Sequence, residues 1–146
     1  MAFSFSSSQG IDRPAADVWA ALIDFPNVPK WERGPVEVRQ VSPGPPGVGT
    51  RLVARRIFAG RESLLESVIT EWDPSRSATM ALTGGPLRDV RVTYAVEPDG
   101  PAGSVVTFRG EGTLRMPLSW LTPLIPFIGR AVARRNLQRL KGMLEA

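Results

Sequence analysis

Neither cysteine nor histidine occurs among the 146 residues of this chain, and that removes much of the side-chain chemistry available to proteins. No disulfide, thiolate nucleophile or thiolate metal site can form. No imidazole base, histidine triad or imidazole pH switch exists. Zinc in its usual ligand set is excluded, and only all-oxygen sites for hard cations stay open. A short list of candidates remains. Arg56 stays charged when buried and needs an acceptor, so it can hold a carboxylate, an enolate or a phenolate oxygen. It fits equally well at a cavity mouth, in water or beside a carboxylate. Tyr94 is the single tyrosine. Its hydroxyl either orients a ligand carbonyl as a weak acid or bonds to backbone at the core rim. Ser63 and Ser67 can hydrogen-bond a ligand or serve as small polar filler, and without histidine neither has the usual activating base. Trp31 either stacks on an aromatic ligand or packs in the core. Glu62 and Glu66 share a strand face near Arg55, where they read as solvated.

These side chains must be positioned by elements that the hydrophobic pattern marks out. Phe3, Phe5, Ser7, Gln9 and Ile11 share one parity and predict a first strand. Pro14 suits the start of a helix, Asp17 lies in its first turn, and Val18, Trp19, Leu22 and Ile23 follow at helical spacing. Phe25 to Trp31, with two prolines, predicts a short second helix or turn. Val36, Val38 and Val41 belong to a second strand. Ser42–Gly49 is glycine-rich but leads into a strand, so it reads as a hairpin loop and not as a phosphate cradle. Further strands are predicted at 50–58, 61–73, 76–84, 87–97 and 104–115. Ala59-Gly60, Asp73 to Arg76, Gly84-Gly85-Pro86 and Pro98 to Pro101 separate them. Such short links make an antiparallel meander. Met116–Ile128 is an apolar, proline-interrupted lead-in. Ala133, Leu137, Leu140 and Leu144 then form one stripe of a long helix, with Arg130, Arg134 and Lys141 turned away.

Turn lengths propose a register. A two-residue turn at Ala59-Gly60 pairs Phe58 with Arg61, Arg56 with Ser63, Ala54 with Leu65 and Leu52 with Ser67. A two-residue turn at Pro74-Ser75 pairs Asp73 with Arg76 and Ile69 with Met80. The inner face is then Leu52, Ala54, Arg56, Phe58, Ser63, Leu65, Ser67, Ile69, Met80, Leu82, Val90, Val92, Tyr94 and Phe108. Gly110 and Gly112 share its parity, leaving room above the sheet or letting it bend. Trp31 closes one end, and Trp120, Leu121, Leu124 and Ile128 roof the space. An apolar wall with a few convergent polar groups is the composition of a small-molecule pocket. The opposite face carries Val53, Ile57, Leu64, Val68 and Trp72, which predicts either a dimer contact or a parity error in strands 50–58 and 61–73.

Charge and composition exclude little else. Hydrophobic residues make up 42% and charged residues 22%, with a net charge of +4, an ordinary balance for one domain spanning residues 1–146. No run is long and apolar enough for a transmembrane helix. MAFSFSSSQG lacks a basic region followed by an apolar one, so no signal peptide is expected and a cytoplasmic location is. Arg51, Arg55 and Arg56 form one basic cluster and Arg134, Arg135 and Arg139 another. Neither interleaves aromatics as a single-strand platform would, so no nucleic-acid partner is expected. Trp120–Ile128 followed by arginines fits contact with anionic lipid.

With this order of elements, the chain resembles the START-like (SRPBCC) superfamily and its polyketide cyclase/dehydrase and lipid-transport group. The resemblance rests on Ile11-Asp12-Arg13-Pro14-Ala15-Ala16-Asp17-Val18-Trp19-Ala20-Ala21-Leu22, on Asp24 and Trp31, on Gly47-Val48-Gly49-Thr50, on Val68-Ile69-Thr70-Glu71-Trp72-Asp73-Pro74, and on the segment from Asn136 to Glu145. It covers essentially the whole chain. It implies an α+β helix-grip fold: a curved antiparallel seven-stranded sheet around a long C-terminal helix, with two short helices after strand 1. It implies a cavity for an apolar ligand, no cofactor, and no shared catalytic motif. The expected function is binding of a small apolar or aromatic molecule, polyketide-like or lipid-like. The expected ligand contacts are Trp31, Arg56, Phe58, Ser63, Leu65, Ser67, Met80, Val92, Tyr94, Phe108, Leu121 and Leu124. A polyketide cyclase/aromatase-type enzyme and a membrane-touching lipid carrier are the alternatives, as monomer or homodimer.

Overall fold

The structure, a computed structural model, describes residues 2–84 and 87–146, and of Phe58 only the backbone. The Gly84-Gly85-Pro86 turn therefore lies partly outside the described residues. The strands are β1 (Phe3–Ile11), β2 (Pro35–Gln40), β3 (Arg51–Phe58), β4 (Arg61–Asp73), β5 (Ser77–Leu82), β6 (Asp89–Pro98) and β7 (Ser104–Thr113). Helix α1 (Ala15–Leu22) and a 3-10 helix (Phe25–Lys30) follow β1, and a second 3-10 helix (Ser119–Leu124) leads into α2 (Ile125–Glu145). The strands form one antiparallel sheet in the order β1-β7-β6-β5-β4-β3-β2. This is the curved sheet and gripped C-terminal helix of the helix-grip fold.

Local chemistry accounts for the elements. Burial alternates along β1, with Phe3 and Ile11 buried at its ends and Ser4, Ser6 and Ser8 exposed, as a half-buried strand requires. Pro14 caps α1 and Asp17 stands in its first turn. Pro126 occupies the first turn of α2, where its missing N–H leaves no bond unmade. The helix therefore starts inside the expected lead-in, at Ile125. Its buried stripe is Ala133, Asn136, Leu137 and Leu140.

Two glycines decide how closely α2 approaches the sheet. The ring of Phe5 lies against Gly110 of β7 and against Gly129 of α2, in space that a β-carbon at either position would occupy. Phe5 is thus clamped between sheet and helix, and α2 packs mainly on β1.

The β3–β4 register pairs Phe58 with Arg61, Arg56 with Ser63, Ala54 with Leu65 and Leu52 with Ser67, as the turn length implies. The next turn differs. Asp73 pairs with Ser77, not Arg76, while Ile69 still pairs with Met80. The longer turn is offset by a β-bulge between Ile69 and Glu71. A bulge adds one residue and reverses the parity of the residues after it. Trp72 is therefore not on the outer face. It packs with the core, its ring 5.2 Å from that of Trp19 at 63°. Ile57 and Leu64 do stand exposed on the outer face.

Buried side chains gather in three places around the concave face. Ile11, Val18, Trp19, Leu22, Trp31, Val96, Val106, Leu137 and Leu140 form the largest cluster. Phe3, Val90 and Leu114 form another beneath the second 3-10 helix. Phe25, Leu52 and Ile69 form the third. Between them the space over β3 to β6 is left unfilled.

Candidate functional site

That space is a cavity of about 280 Å³, just below the roughly 300–1,000 Å³ usual for ligand pockets. Its floor comes from alternate residues of the sheet: Leu52, Ala54 and Arg56 of β3, Leu65 and Ser67 of β4, Met80 and Leu82 of β5, Val92 and Tyr94 of β6, and Phe108 of β7. Phe25 and Val28 close one side, and Gly129, Val132, Ala133, Asn136 and Leu137 of α2 form the roof. Val132 lines the cavity yet is 46% exposed, so the cavity meets the surface beside α2.

One edge-to-face and two tilted ring contacts order one wall. The Trp31 and Tyr94 rings lie 5.9 Å apart at 85°, Tyr94 and Phe108 4.7 Å apart at 52°, and Phe108 and Phe5 6.0 Å apart at 41°. Such geometries hold rings rigid and present apolar area at low entropic cost.

Three polar groups share this wall. Arg56 reaches in from β3, its guanidinium lying against Gly34 where a side chain would otherwise stand. Gly34 also has a φ of +116°, a conformation that favours glycine. Glu32 enters from the segment after Trp31. Burial pushes its carboxyl above the usual range, and the Arg56 charge partly opposes this. Burial likewise drives the Tyr94 phenol well above its usual value, the Glu32 charge adds to this, and Arg56 opposes it. Tyr94 therefore keeps its proton, and stays a donor, at neutral pH. Among the described residues, Arg56 Nε and Trp31 Nε1 are buried donors without an acceptor. A buried donor left unpaired costs about 1–3 kcal/mol, so these two mark where an acceptor would be welcome.

The segment carrying Trp31 and Glu32 is held by α2. The Asn136 side-chain oxygen accepts a hydrogen bond from the Arg33 backbone N–H at 3.0 Å, and Arg139 donates to the Lys30 carbonyl at 3.2 Å. Asn136 is itself buried.

Of the residues expected at the site, Trp31, Arg56, Leu65, Ser67, Met80, Val92, Tyr94 and Phe108 lie on the cavity wall. The side chain of Phe58 is outside the described residues. Ser63 shares their parity but is exposed, because it sits near the β3–β4 turn, beyond the reach of α2. Leu121 and Leu124 do not roof the cavity. α2 starts early enough to do so itself, and Leu121 packs instead on the Phe3–Val90–Leu114 cluster, while Leu124 is 49% exposed. Glu32 and Asn136 were not legible as site residues. Glu32 follows an irregular turn that has no periodicity to assign it a face, and Asn136 interrupts an otherwise apolar stripe. That interruption was the one available signal.

The polyketide cyclase / dehydrase and lipid transport family model matches residues 2–145. The chain belongs to that family. Members of the family bind small hydrophobic ligands, and the helix-grip fold found here is theirs. A START superfamily protein from Mycobacterium smegmatis has a TM-score of 0.79 at 13% identity, with 97% of each chain covered. A protein from Thermus thermophilus gives 0.77 at 17% identity, covering 96% of this chain and 95% of that one. The di-domain ARO/CYC BexL from the BE-7585A biosynthetic pathway gives 0.75 at 19% identity, covering 98% of this chain. This family member spans only about half of BexL, 46% of that chain. These likenesses establish the fold. No curated protein matches the sequence.

The raised Glu32 carboxyl has a consequence for stability. The folded state holds the Glu32 proton more tightly than the unfolded chain does. Its contribution is fully present below its ordinary value of 4.5 and is lost as pH rises through the higher folded value. The Glu32→Gln variant is expected to melt higher than the native chain at pH 7, with the difference closing below about pH 4.5. Thermal denaturation across pH checks this. A lower melting temperature for the variant at pH 7 would mean that attraction to Arg56 outweighs burial.

Proposed function

We propose that this protein binds a small apolar or aromatic molecule, polyketide-like or lipid-like, through one electron-rich oxygen directed at Arg56. The reading is carried by a half-buried arginine whose buried Nε–H has no partner among the described residues, on the wall of a mainly apolar cavity. Apolar burial supplies affinity at roughly 25 cal/mol per Å². Arg56 and the Tyr94 hydroxyl orient the polar end, with Ser67 as a further donor, and the ring wall from Trp31 to Phe108 suits a planar ligand. Native mass spectrometry of freshly purified protein, beside a denatured sample, tests it. The expected result is a bound mass that disappears on denaturation and is lowered by the Arg56→Met substitution. A ligand retained equally by that variant would remove Arg56 from the site.

The second reading is a cyclase-type enzyme, favoured by the convergence of a carboxyl, a guanidinium and a phenol on one wall. Here the cavity would fold a flexible polyketone so that an enol carbon meets a carbonyl carbon. As the new carbon–carbon bond forms, the carbonyl π bond would break to an oxyanion stabilised by Arg56 and the Tyr94 O–H, the enol would become a carbonyl, and its released proton would end on the oxyanion as the product hydroxyl. Mass analysis of a recovered polyketone separates the two readings. A molecule returned unchanged supports binding alone, and one returned cyclised supports catalysis.

A further inference from the structure

Residues 112–144 are polarised in a way that ligand binding does not use. Between Gly112 and Leu144 there are six Lys/Arg and no Asp/Glu, while the rest of the chain has twelve Lys/Arg and fourteen Asp/Glu. The same stretch carries the most exposed large apolar side chains described: Met116 at 76%, Phe127 at 71% and Trp120 at 70%, with Ile128 at 50%. Phe127 and Ile128 occupy the first turns of α2, on the side opposite Ala133 and Leu137. Arg130, Arg134, Arg135 and Arg139 follow along the exposed side of the helix. Arg33, Arg135 and Arg139 line a surface depression one to two turns beyond Val132, and Val132 sits at the cavity opening.

We infer that this face docks on an anionic lipid bilayer, with Trp120, Phe127 and Ile128 entering the headgroup boundary and the arginines meeting lipid phosphates. Three observations select this occupant. An apolar tip flanked by unopposed basic charge is the pattern of an interfacial helix, and an exposed tryptophan is at home at the headgroup level. A second copy seated on the same face would bring two helices together whose arginines, Arg130, Arg134, Arg135 and Arg139, meet no acidic residue before Glu145 at the far end. Nucleic acid would use the arginines but leave the apolar tip without a partner. Docking here would place the cavity opening at Val132 against the membrane, a direct path for an apolar ligand.

The test is co-sedimentation with phosphatidylcholine vesicles, with and without phosphatidylglycerol, at low and high salt. Binding is expected only with phosphatidylglycerol, weakening as salt is added. Trp120→Ser/Phe127→Ser should weaken it by at least about tenfold. Arg135→Gln/Arg139→Gln should weaken it by about fivefold per charge. All four positions are exposed, and circular dichroism checks that the variants stay folded. Equal sedimentation with both vesicle types, none with either, or unchanged binding by the variants overturns the proposal. So does a concentration-dependent dimer that the Trp120→Ser/Phe127→Ser variant dissociates. Duplex DNA binding lost only in the arginine variant overturns it as well. The readout does not depend on cavity occupancy, so failure here leaves the proposed ligand site standing.

Discussion

Arg56→Met is expected to cut affinity for an aromatic carboxylate by about 10–100-fold while leaving the protein as stable as before or more so. The first half follows from charge-assisted hydrogen bonding, worth about 1.5–3 kcal/mol where the donor is ionised. Naphthoate and the isosteric acetylnaphthalene provide the comparison by calorimetric titration: naphthoate should weaken strongly and acetylnaphthalene little. The second half follows from burial. Arg56 Nε has no acceptor among the described residues, and methionine replaces the aliphatic stem without a charge to desolvate. A guanidinium present only to neutralise Glu32 predicts the opposite pair of results. Its loss would strand the carboxyl, lower the melting temperature and leave naphthoate binding unchanged. Titration and melting together therefore separate a ligand-directed arginine from a structural one.

Gly129→Val is expected to destabilise the protein by about 3 kcal/mol, a fall in melting temperature of about 10 °C. Gly129 faces the Phe5 ring so closely that even one added carbon displaces it. On the other side of that ring stands Gly110, equally close, so the ring cannot retreat into the sheet. Relief must come from moving α2 outward, which would also disturb the roof at Val132 and Ala133. The cause is testable by compensation. Phe5→Leu removes part of the ring and should recover stability in the Gly129→Val background while costing it in the native one, a coupling expected between residues in contact. Additive effects of the two substitutions would place the damage elsewhere.

The alternation of β1, the punctuation between strands and the stripe Ala133–Leu137–Leu140 are local patterns, and each survived folding because a half-buried strand or helix has only one way to hide its apolar face. The register of β3 and β4 was legible for the same reason, since a two-residue turn leaves no freedom at Ala59-Gly60. Strand parity alone thus places Arg56, Ser67, Met80, Tyr94 and Phe108 on one face. Parity says nothing about which element lies above that face. Ser63 has the right parity and no roof, while Leu121 covers a different cluster because α2 takes its place. The bulge at Thr70 is written in no turn signal, yet it carries Trp72 from the outer face to the core.

Sequence alone narrowed the chemistry that is possible here: without cysteine or histidine, the side chains available are guanidinium, amine, carboxyl, amide, hydroxyl and apolar groups. Tertiary structure alone decided which of these groups meet. Glu32 lies in a turn with no periodicity, 24 residues before Arg56 and 62 before Tyr94 along the chain. It joins them because Asn136 of α2 holds the Arg33 backbone against the cavity. Desolvation of a carboxyl beside a guanidinium is a property of that enclosure. No pattern along the chain encodes it.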